Sequence, residues 1–263
     1  PNVGKSTVFN ALTGMNQHTG NWTGKTVATA CGTFTRNGKN YITVDLPGTY
    51  SLFTHSVEEE VARDFILSGN ADACITVCDA TCLERNLNLV LQIIEITPRT
   101  VVCINLMDEA RRKKICVDIP SLARELGVPV IGTSARSGKG LDELIGAVDS
   151  LKSKNPAPLE PVHYGSGIEE ALQILTPALD GISSHPRRDA LRILSGESEA
   201  PEKAQETAKS ADEVIDRYGL TQEMIRDKAA VAAVMRAEEI YKKCVTADRQ
   251  HSAADRKLDR IFT

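Results

Sequence analysis

Gly4, Lys5 and Ser6 stand at the head of a run patterned for a helix, and that order of residue types suits the holding of phosphate. A glycine lets backbone N–H groups close around phosphate oxygens, a lysine reaches the outer phosphates, and the next hydroxyl ligates Mg²⁺. The positive end of the ensuing helix adds to the attraction. In Pro1-Asn-Val-Gly-Lys-Ser-Thr7 the phosphate lysine is Lys5 and the Mg²⁺ ligand is Ser6. Asn2, Val3, Gly4 and Thr7 complete the loop, and Val8, Phe9, Ala11 and Leu12 suit the helix behind it. The full pattern, G-x-x-x-x-G-K-[ST], requires another glycine and a feeding strand upstream, so both are expected before Pro1. By itself the tripeptide is a weak signal, and a terminus that binds nothing is the competing reading.

Three further short motifs follow in order. Asp45-Leu-Pro-Gly48 succeeds a strand pattern; its carboxylate can hold Mg²⁺ through water, and the Gly48 amide can meet a γ-phosphate. Asn105-Leu-Met-Asp108 succeeds another. A carboxylate there can accept both the ring N–H and the exocyclic amine of guanine, whereas adenine lacks that ring donor. Thr133-Ser134-Ala135 follows the last strand pattern and offers a backbone amide to the guanine carbonyl. Thr26, in the polar, glycine-punctuated stretch 17–26 that reads as a loop able to move, is placed to ligate Mg²⁺ beside a triphosphate. Singly, Asp-x-x-Gly is often a turn and Asn-x-x-Asp a helix cap. In this order, each at a strand end, they define one GTP/GDP site. It comprises Asn2, Val3, Gly4, Lys5, Ser6, Thr7, Thr26, Asp45, Gly48, Asn105, Met107, Asp108, Thr133, Ser134 and Ala135.

The elements that must position these residues are legible from periodicity. Residues 26–36 are rich in Thr and Val, Asn37-Gly38 is a strong two-residue turn signal, and 41–44 is the return strand. A helix is expected over 57–67, with Glu58 and Glu59 read as an acidic first turn in preference to water-positioning groups. Strands at 73–78, 100–105 and 128–132 then alternate with helices at 83–96, 121–126 and 141–151, interrupted by a basic patch at 111–114. Such alternation implies an α/β fold, a mostly parallel sheet with helices on both faces and catalytic loops at the carboxyl ends of its strands. A proline-rich stretch, 153–161, reads as a linker between a nucleotide-binding domain (1–152) and a small all-α domain (162–263). In the latter, helices are expected around 168–179, bent by Pro177, at 186–194, and over 221–245, where Ala233, Ala237, Ile240, Tyr241 and Cys244 share a face. No strand is expected there.

Composition sets the outer limits. The chain has 263 residues, 41% of them apolar and 25% charged, enough for a buried core, and its net charge of −4 provides no bulk basic field for nucleic acid. No apolar run approaches the roughly 18–20 residues needed to span a bilayer. The seven cysteines are an odd number scattered through apolar segments, which fits a reducing compartment. Cys74 and Cys78 fall on one face of a strand pattern and read as small core residues, without a zinc-like partner pair.

The quoted motifs, with Asn21-Trp-Thr-Gly24, Asp45-Leu-Pro-Gly-Thr-Tyr-Ser51 and above all Asp79-Ala-Thr-Cys-Leu-Glu-Arg-Asn-Leu87, closely resemble the ferrous-iron transport protein B family. The resemblance covers the nucleotide-binding domain; the tail matches in layout only. It implies a Ras-like P-loop GTPase domain, then a helical domain that favours GDP, then a transmembrane Fe²⁺ permease as the partner in the same chain. Localisation would be the cytoplasmic face of the bacterial inner membrane, and a homo-oligomer is compatible with it. Arg249, Arg256, Lys257 and Arg260 would suit a cytosolic membrane flank, although their charges alone read as a solvated helix end. The resemblance also assigns roles in hydrolysis. Asn2 matches a K⁺-holding asparagine and would work with Lys5, Thr26 and Gly48.

Two departures bear on rate and affinity. Thr49 follows Gly48 where Ras-like enzymes carry a water-orienting glutamine, so slow intrinsic turnover is expected, with K⁺ supplying charge compensation. Leu106 stands where many GTPases have lysine, so modest affinity and quick GDP exchange are expected. The alternative is a free-standing GTPase of ribosome or RNA assembly. Beyond residue 153 acidic residues outnumber basic ones, a poor footprint for RNA.

Overall fold

Residues 3–14, 17–21, 28–49, 57–68, 70–151, 162–183 and 185–247 are described by the structure, a computed structural model; for 17–21, 28–29 and 57–60 only the backbone course is described. In chain order the elements are α1 (Lys5–Thr13), β1 (Gln17–Asn21), β2 (Ala28–Arg36), β3 (Lys39–Asp45), α2 (Val57–Leu67), β4 (Cys74–Asp79), α3 (Leu83–Ile96) and β5 (Thr100–Asn105). There follow α4 (Met107–Arg112), β6 (Ile115–Val117), α5 (Ile119–Leu126), β7 (Val130–Gly132) and α6 (Leu141–Ser150). Last come α7 (Ser166–Ala178), α8 (Pro186–Leu194), α9 (Gln205–Arg217), α10 (Gln222–Cys244) and β8 (Val245–Ala247). Contacts divide the chain into two units, Pro1–Leu159 with Ala237–Thr263, and Glu160–Arg236.

In the first unit β4, β5 and β7 form a parallel sheet in the order β4-β5-β7. Every residue of β5 is buried, because successive side chains alternate between two covered faces. Val102 and Ile104 join Leu83, Leu87 and Leu91 of α3 and Leu122 and Leu126 of α5 on one face. Val101 and Cys103 join Val8 and Leu12 of α1 and Leu144 and Ile145 of α6 on the other. Asp118 starts α5 by accepting the Ser121 amide at 3.1 Å, and Gly127, at φ 64, ends it.

The expected hairpin is present. Asn37 and Gly38 have φ 52 and 73, the two positive values a type I′ turn requires, and β2 pairs with β3 from Arg36 opposite Lys39. The hairpin is tied to α6: Arg36 pairs with Asp142, while Lys39 Nζ and Tyr41 Oη lie 2.8 and 3.0 Å from the Asp149 carboxylate. Residues 17–21, expected as loop, instead form β1 antiparallel to β2, since pairing satisfies backbone groups whatever the side chains. β1-β2-β3 is a sheet of its own, so the expected single sheet is divided, with no described strand joining β3 to β4.

The second unit packs α7, α8, α9 and the first part of α10 around Ile168, Leu172, Leu175, Leu191 and Ile225. Pro177 falls in the last turn of α7, where the helix is already ending, so no bend in mid-helix results. Arg187 fastens the start of the unit: it donates to the Val162 carbonyl at 2.9 Å and to both Glu169 oxygens at 2.9 and 3.0 Å. Its guanidinium also lies 5.6 Å from the centre of the Tyr164 ring.

The expected helical domain extended to residue 263, but Ala237, Ile240, Cys244 and Val245 are buried with α3 and α5 in the first unit. The reason is apolar spacing: these positions carry a stripe that α3 and α5 complete. A strand also appears where none was expected, because β8 pairs antiparallel with β6. Three residues are too few for a periodicity to show. Both expected linker ends and the residues after 247 lie outside the described residues.

Candidate nucleotide site

The phosphate loop is held by a glycine and an asparagine far apart in sequence. Gly4 has φ 79, a left-handed conformation that side chains disfavour, and precedes the first turn of α1. A Cβ there would run into Asn105 Nδ2, so any larger residue would strain φ and displace that amide. Asn105 uses that proximity: its Nδ2 donates to the Val3 carbonyl at 3.2 Å. Its Oδ1 accepts from the Thr133 hydroxyl at 3.2 Å and the Ala135 amide at 3.0 Å. One buried amide thus joins the phosphate loop to Thr133-Ser134-Ala135.

Lys5, half-buried, points its ammonium at the Asp45 carboxylate and forms an ion pair with it. Ser6 and Thr7 are exposed at the start of α1, and Gly48 is exposed in the stretch after β3. A cavity of about 620 Å³ is lined by Gly4, Lys5, Ser6, Gly48 and the Cys74–Cys78 edge of β4 among others. Asp45 and Ser6 offer hard oxygen donors, and the Asp45 carboxylate already faces a cation, a donor set that fits Mg²⁺. Asn2, Thr26 and Trp22 lie outside the described residues, and the side chains of Glu58 and Glu59 do too.

The residues expected to read the base form a second cluster at the ends of β5 and β7. Asp108 is exposed at the first turn of α4, and its amide donates to Ser134 Oγ at 3.2 Å. Partial desolvation works against the charge of this carboxylate. The Ser134 hydroxyl, nearby backbone amides and Arg112 outweigh it, leaving the group below its ordinary range and firmly ionised. Met107 donates its amide to the Thr133 carbonyl at 3.1 Å, and its side chain lies over Gly132. The amides of Thr133 and Ser134 donate to the Ile104 and Lys139 carbonyls at 2.7 and 3.0 Å. All three amides of 133–135 are therefore engaged within the protein.

Sequence reasoning missed two supports. Asn86 Oδ1 accepts the Asp79 amide at 2.7 Å, Asp79 Oδ1 accepts that of Thr81 at 2.7 Å, and the Ala80 amide donates to the Asn105 carbonyl at 2.9 Å. The stretch 79–87 thus fixes the end of β4 to Asn105, a role its Asp and Asn spacing could have suggested. Gly140, at φ 83, comes so close that a Cβ would collide with the Gly132 carbonyl oxygen. Nothing in the sequence alone marks that approach. Cys74 and Cys103 have thiols pushed up to about 11 by burial, and no metal-binding cluster occurs among the described residues.

A parallel sheet covered on both faces, with a glycine-lysine-serine loop opening the first helix and a second loop cluster at the ends of β5 and β7, defines a P-loop GTPase fold, here followed by a helical unit. The family described as Ferrous iron transport protein B matches residues 1–148, and the chain belongs to it. The Fe(2+) transporter FeoB of Salmonella typhimurium is 36% identical over 223 residues, 82% of this chain but 29% of that protein. Its Escherichia coli K12 counterpart is 44% identical over 168 residues, 62% of this chain and 22% of that protein. The chain therefore spans under a third of the length of these relatives. Among solved structures, the cytosolic domain of T. maritima FeoB in its GMPPNP form has a TM-score of 0.79 at 33% identity, covering 94% of this chain and 96% of that one. A GDP-bound mutant of S. thermophilus NFeoB gives 0.80 at 28% identity, with 94% and 96% covered.

Proposed function

We propose that this chain is the guanine-nucleotide switch of a membrane ferrous-iron transporter, binding GTP and GDP with Mg²⁺ and hydrolysing GTP slowly. The observation that carries the reading is Asn105, whose amide ties the phosphate loop at Val3 to the base loop at Thr133 and Ala135. Such a tether sets the spacing between phosphates and base. In this reading Asp108 accepts the two guanine donors, and the Ala135 amide shares or exchanges its bond to Asn105 when it meets the guanine carbonyl. Lys5 turns from Asp45 to the outer phosphates, and the Gly48 amide meets the γ-phosphate. Ser6, Thr26 and Asp45 would hold Mg²⁺, which supplies charge neutralisation at the phosphate oxygens. Support comes from the family and from relatives solved with GDP and GMPPNP.

Calorimetric titration with GDP and ADP tests the site. GDP alone is expected to bind, and Asp108→Asn is expected to weaken GDP by roughly a hundredfold or more, since a buried donor of the base loses its acceptor. Equal affinity for ADP would overturn the reading. For hydrolysis, Asn2 is assigned a K⁺ ion that offsets charge developing on the phosphates. GTP turnover is expected to rise in K⁺ over Na⁺, and to lose that response in Asn2→Ala. Identical rates in the two salts would remove K⁺ from the mechanism. The transporter context favours this reading over an RNA-assembly GTPase, and coupling to an Fe²⁺ permease belongs to the proposal.

A further inference from the structure

The turn between β4 and α3 gives every amide from residue 79 to residue 82 a partner, and does so with two side chains that the nucleotide reading does not use. Asn86, buried in α3, accepts the Asp79 amide through Oδ1 at 2.7 Å. Asp79 accepts the Thr81 amide through its own Oδ1 at 2.7 Å and the Cys82 amide through its carbonyl at 3.2 Å. These bonds wrap the chain around Asp79 and let α3 begin at Leu83. The remaining amide, that of buried Ala80, donates to the Asn105 carbonyl at 2.9 Å. Asp79 stands opposite Asn105 in the β4–β5 register, so that bond carries the ladder one step past the end of β4.

Asn105 is thereby held at both ends. Its carbonyl is pinned by the turn, and its side-chain amide reaches Val3, Thr133 and Ala135. The peptide bearing that carbonyl leads into Leu106 at φ 62, and Asp108 follows in the first turn of α4. A loosened turn at 79–82 would let this peptide rotate and carry Asp108 with it. A carboxylate that accepts two parallel N–H bonds tolerates little rotation, because hydrogen bonds weaken steeply as they bend.

We propose that Asp79 and Asn86 are positioning residues for guanine recognition, acting through the Ala80 amide on Asn105 and so on the alignment of Asp108. The inference deepens the nucleotide reading and rests on it. Asn86 also lines the cavity beside Gly4 and Gly48, whereas Asp79 is not part of that lining. Agreement between the two residues therefore separates an effect relayed through the turn from one exerted in the cavity.

Calorimetric titration of the 263-residue chain with GDP and IDP tests this. IDP keeps the ring N–H of the base but lacks the exocyclic amine, so it retains one of the two bonds that Asp108 accepts. Asn86→Ala and Asp79→Ala should each lower GDP affinity roughly tenfold and IDP affinity by no more than about threefold, which shrinks the preference for GDP. The double variant should lose about as much as the larger single change, since both act through one turn. Circular dichroism melts correct for any unfolded fraction, which lowers both affinities in proportion and leaves their ratio alone. Asp79→Ala, at a half-buried turn position, carries the test should Asn86→Ala fail to fold. Equal losses for GDP and IDP would reduce the pair to a structural or phosphate-side role. Additive losses, an effect in only one of two folded variants, or unchanged GDP affinity would also overturn the proposal. Failure of the unaltered chain to bind GDP would count against the nucleotide reading instead.

Discussion

Leu106 joins two oddities at one residue: it replaces a lysine common in GTPases, and it sits at φ 62, a left-handed conformation that costs a leucine about 1–2 kcal/mol. The turn between β5 and α4 requires it, since Asn105 must face Val3 while the next residues start a helix. A lysine here would lay its stem along the base and its ammonium against the phosphate loop. Leu106→Lys is therefore expected to slow GDP release roughly tenfold, measured by displacement of a fluorescent GDP analogue. Asp108 supplies the pH argument. Its carboxyl lies below the ordinary 3.8, so the charged acceptor persists as pH falls through the usual carboxylate range. GDP affinity should consequently hold from pH 7 to about 4.5, a window in which ordinary carboxylates begin to protonate. A loss of affinity centred above pH 4.5 without unfolding would show that another group governs binding.

At the scale of elements, α1, β5 and β7 are locked through Asn105, and the lock is nearly dry: Asn105 and Thr133 are each 1% exposed and Ala135 3%. Asn105→Ala would leave the Ala135 amide without its acceptor in a buried place. A loss of about 1–3 kcal/mol is expected in chemical denaturation, together with weakened GDP binding. Gly4→Ala tests the same lock from the other side, since its new methyl would meet Asn105 Nδ2 and strain φ. It should release the Val3 bond and weaken nucleotide binding while leaving the parallel sheet intact. By contrast Leu122, fully buried between α5 and the sheet, is remote from the loop. Leu122→Ala should cost about 2–5 kcal/mol of stability with intrinsic GDP affinity preserved in the folded fraction.

For the whole molecule, the two units have separate cores, and the second depends on the Arg187–Glu169 fastening at its start. Desolvation opposes the Glu169 charge, but Arg187 and the Tyr164 amide outweigh it and lower the carboxyl below 4.5. A lowered folded-state value means a contribution fully present above the unfolded value near 4.5 and lost as pH falls through the folded one. Arg187→Ala should therefore destabilise the second unit at pH 7 by about 1–2 kcal/mol in thermal melts. The difference from the unaltered chain should shrink as pH drops below 4.5. Separate melting of the two units would make the assignment direct.

The local motifs were readable because each rests on short-range chemistry. Gly4-Lys5-Ser6 before an apolar helix, Asn37-Gly38 between Thr-rich strands, and the alternating strands and helices from 73 to 151 need no distant partner to be recognised. The residues that exchange hydrogen bonds are another matter. Val3, Thr133 and Ala135 meet Asn105 across separate elements, and only the stacking of α1, β5 and β7 brings its one amide within reach of all three. The same holds for α10, whose apolar stripe was plain but whose partner was not. Burial of Ala237, Ile240 and Cys244 with α3 and α5, and the pairing of β8 with β6, carry the end of the helical tail back to the first unit. Sequence alone determined the chemistry available at each position, because residue type and spacing are local. Tertiary structure decided which of those groups share a site, because long-range packing and strand pairing depend on surfaces that no single segment contains.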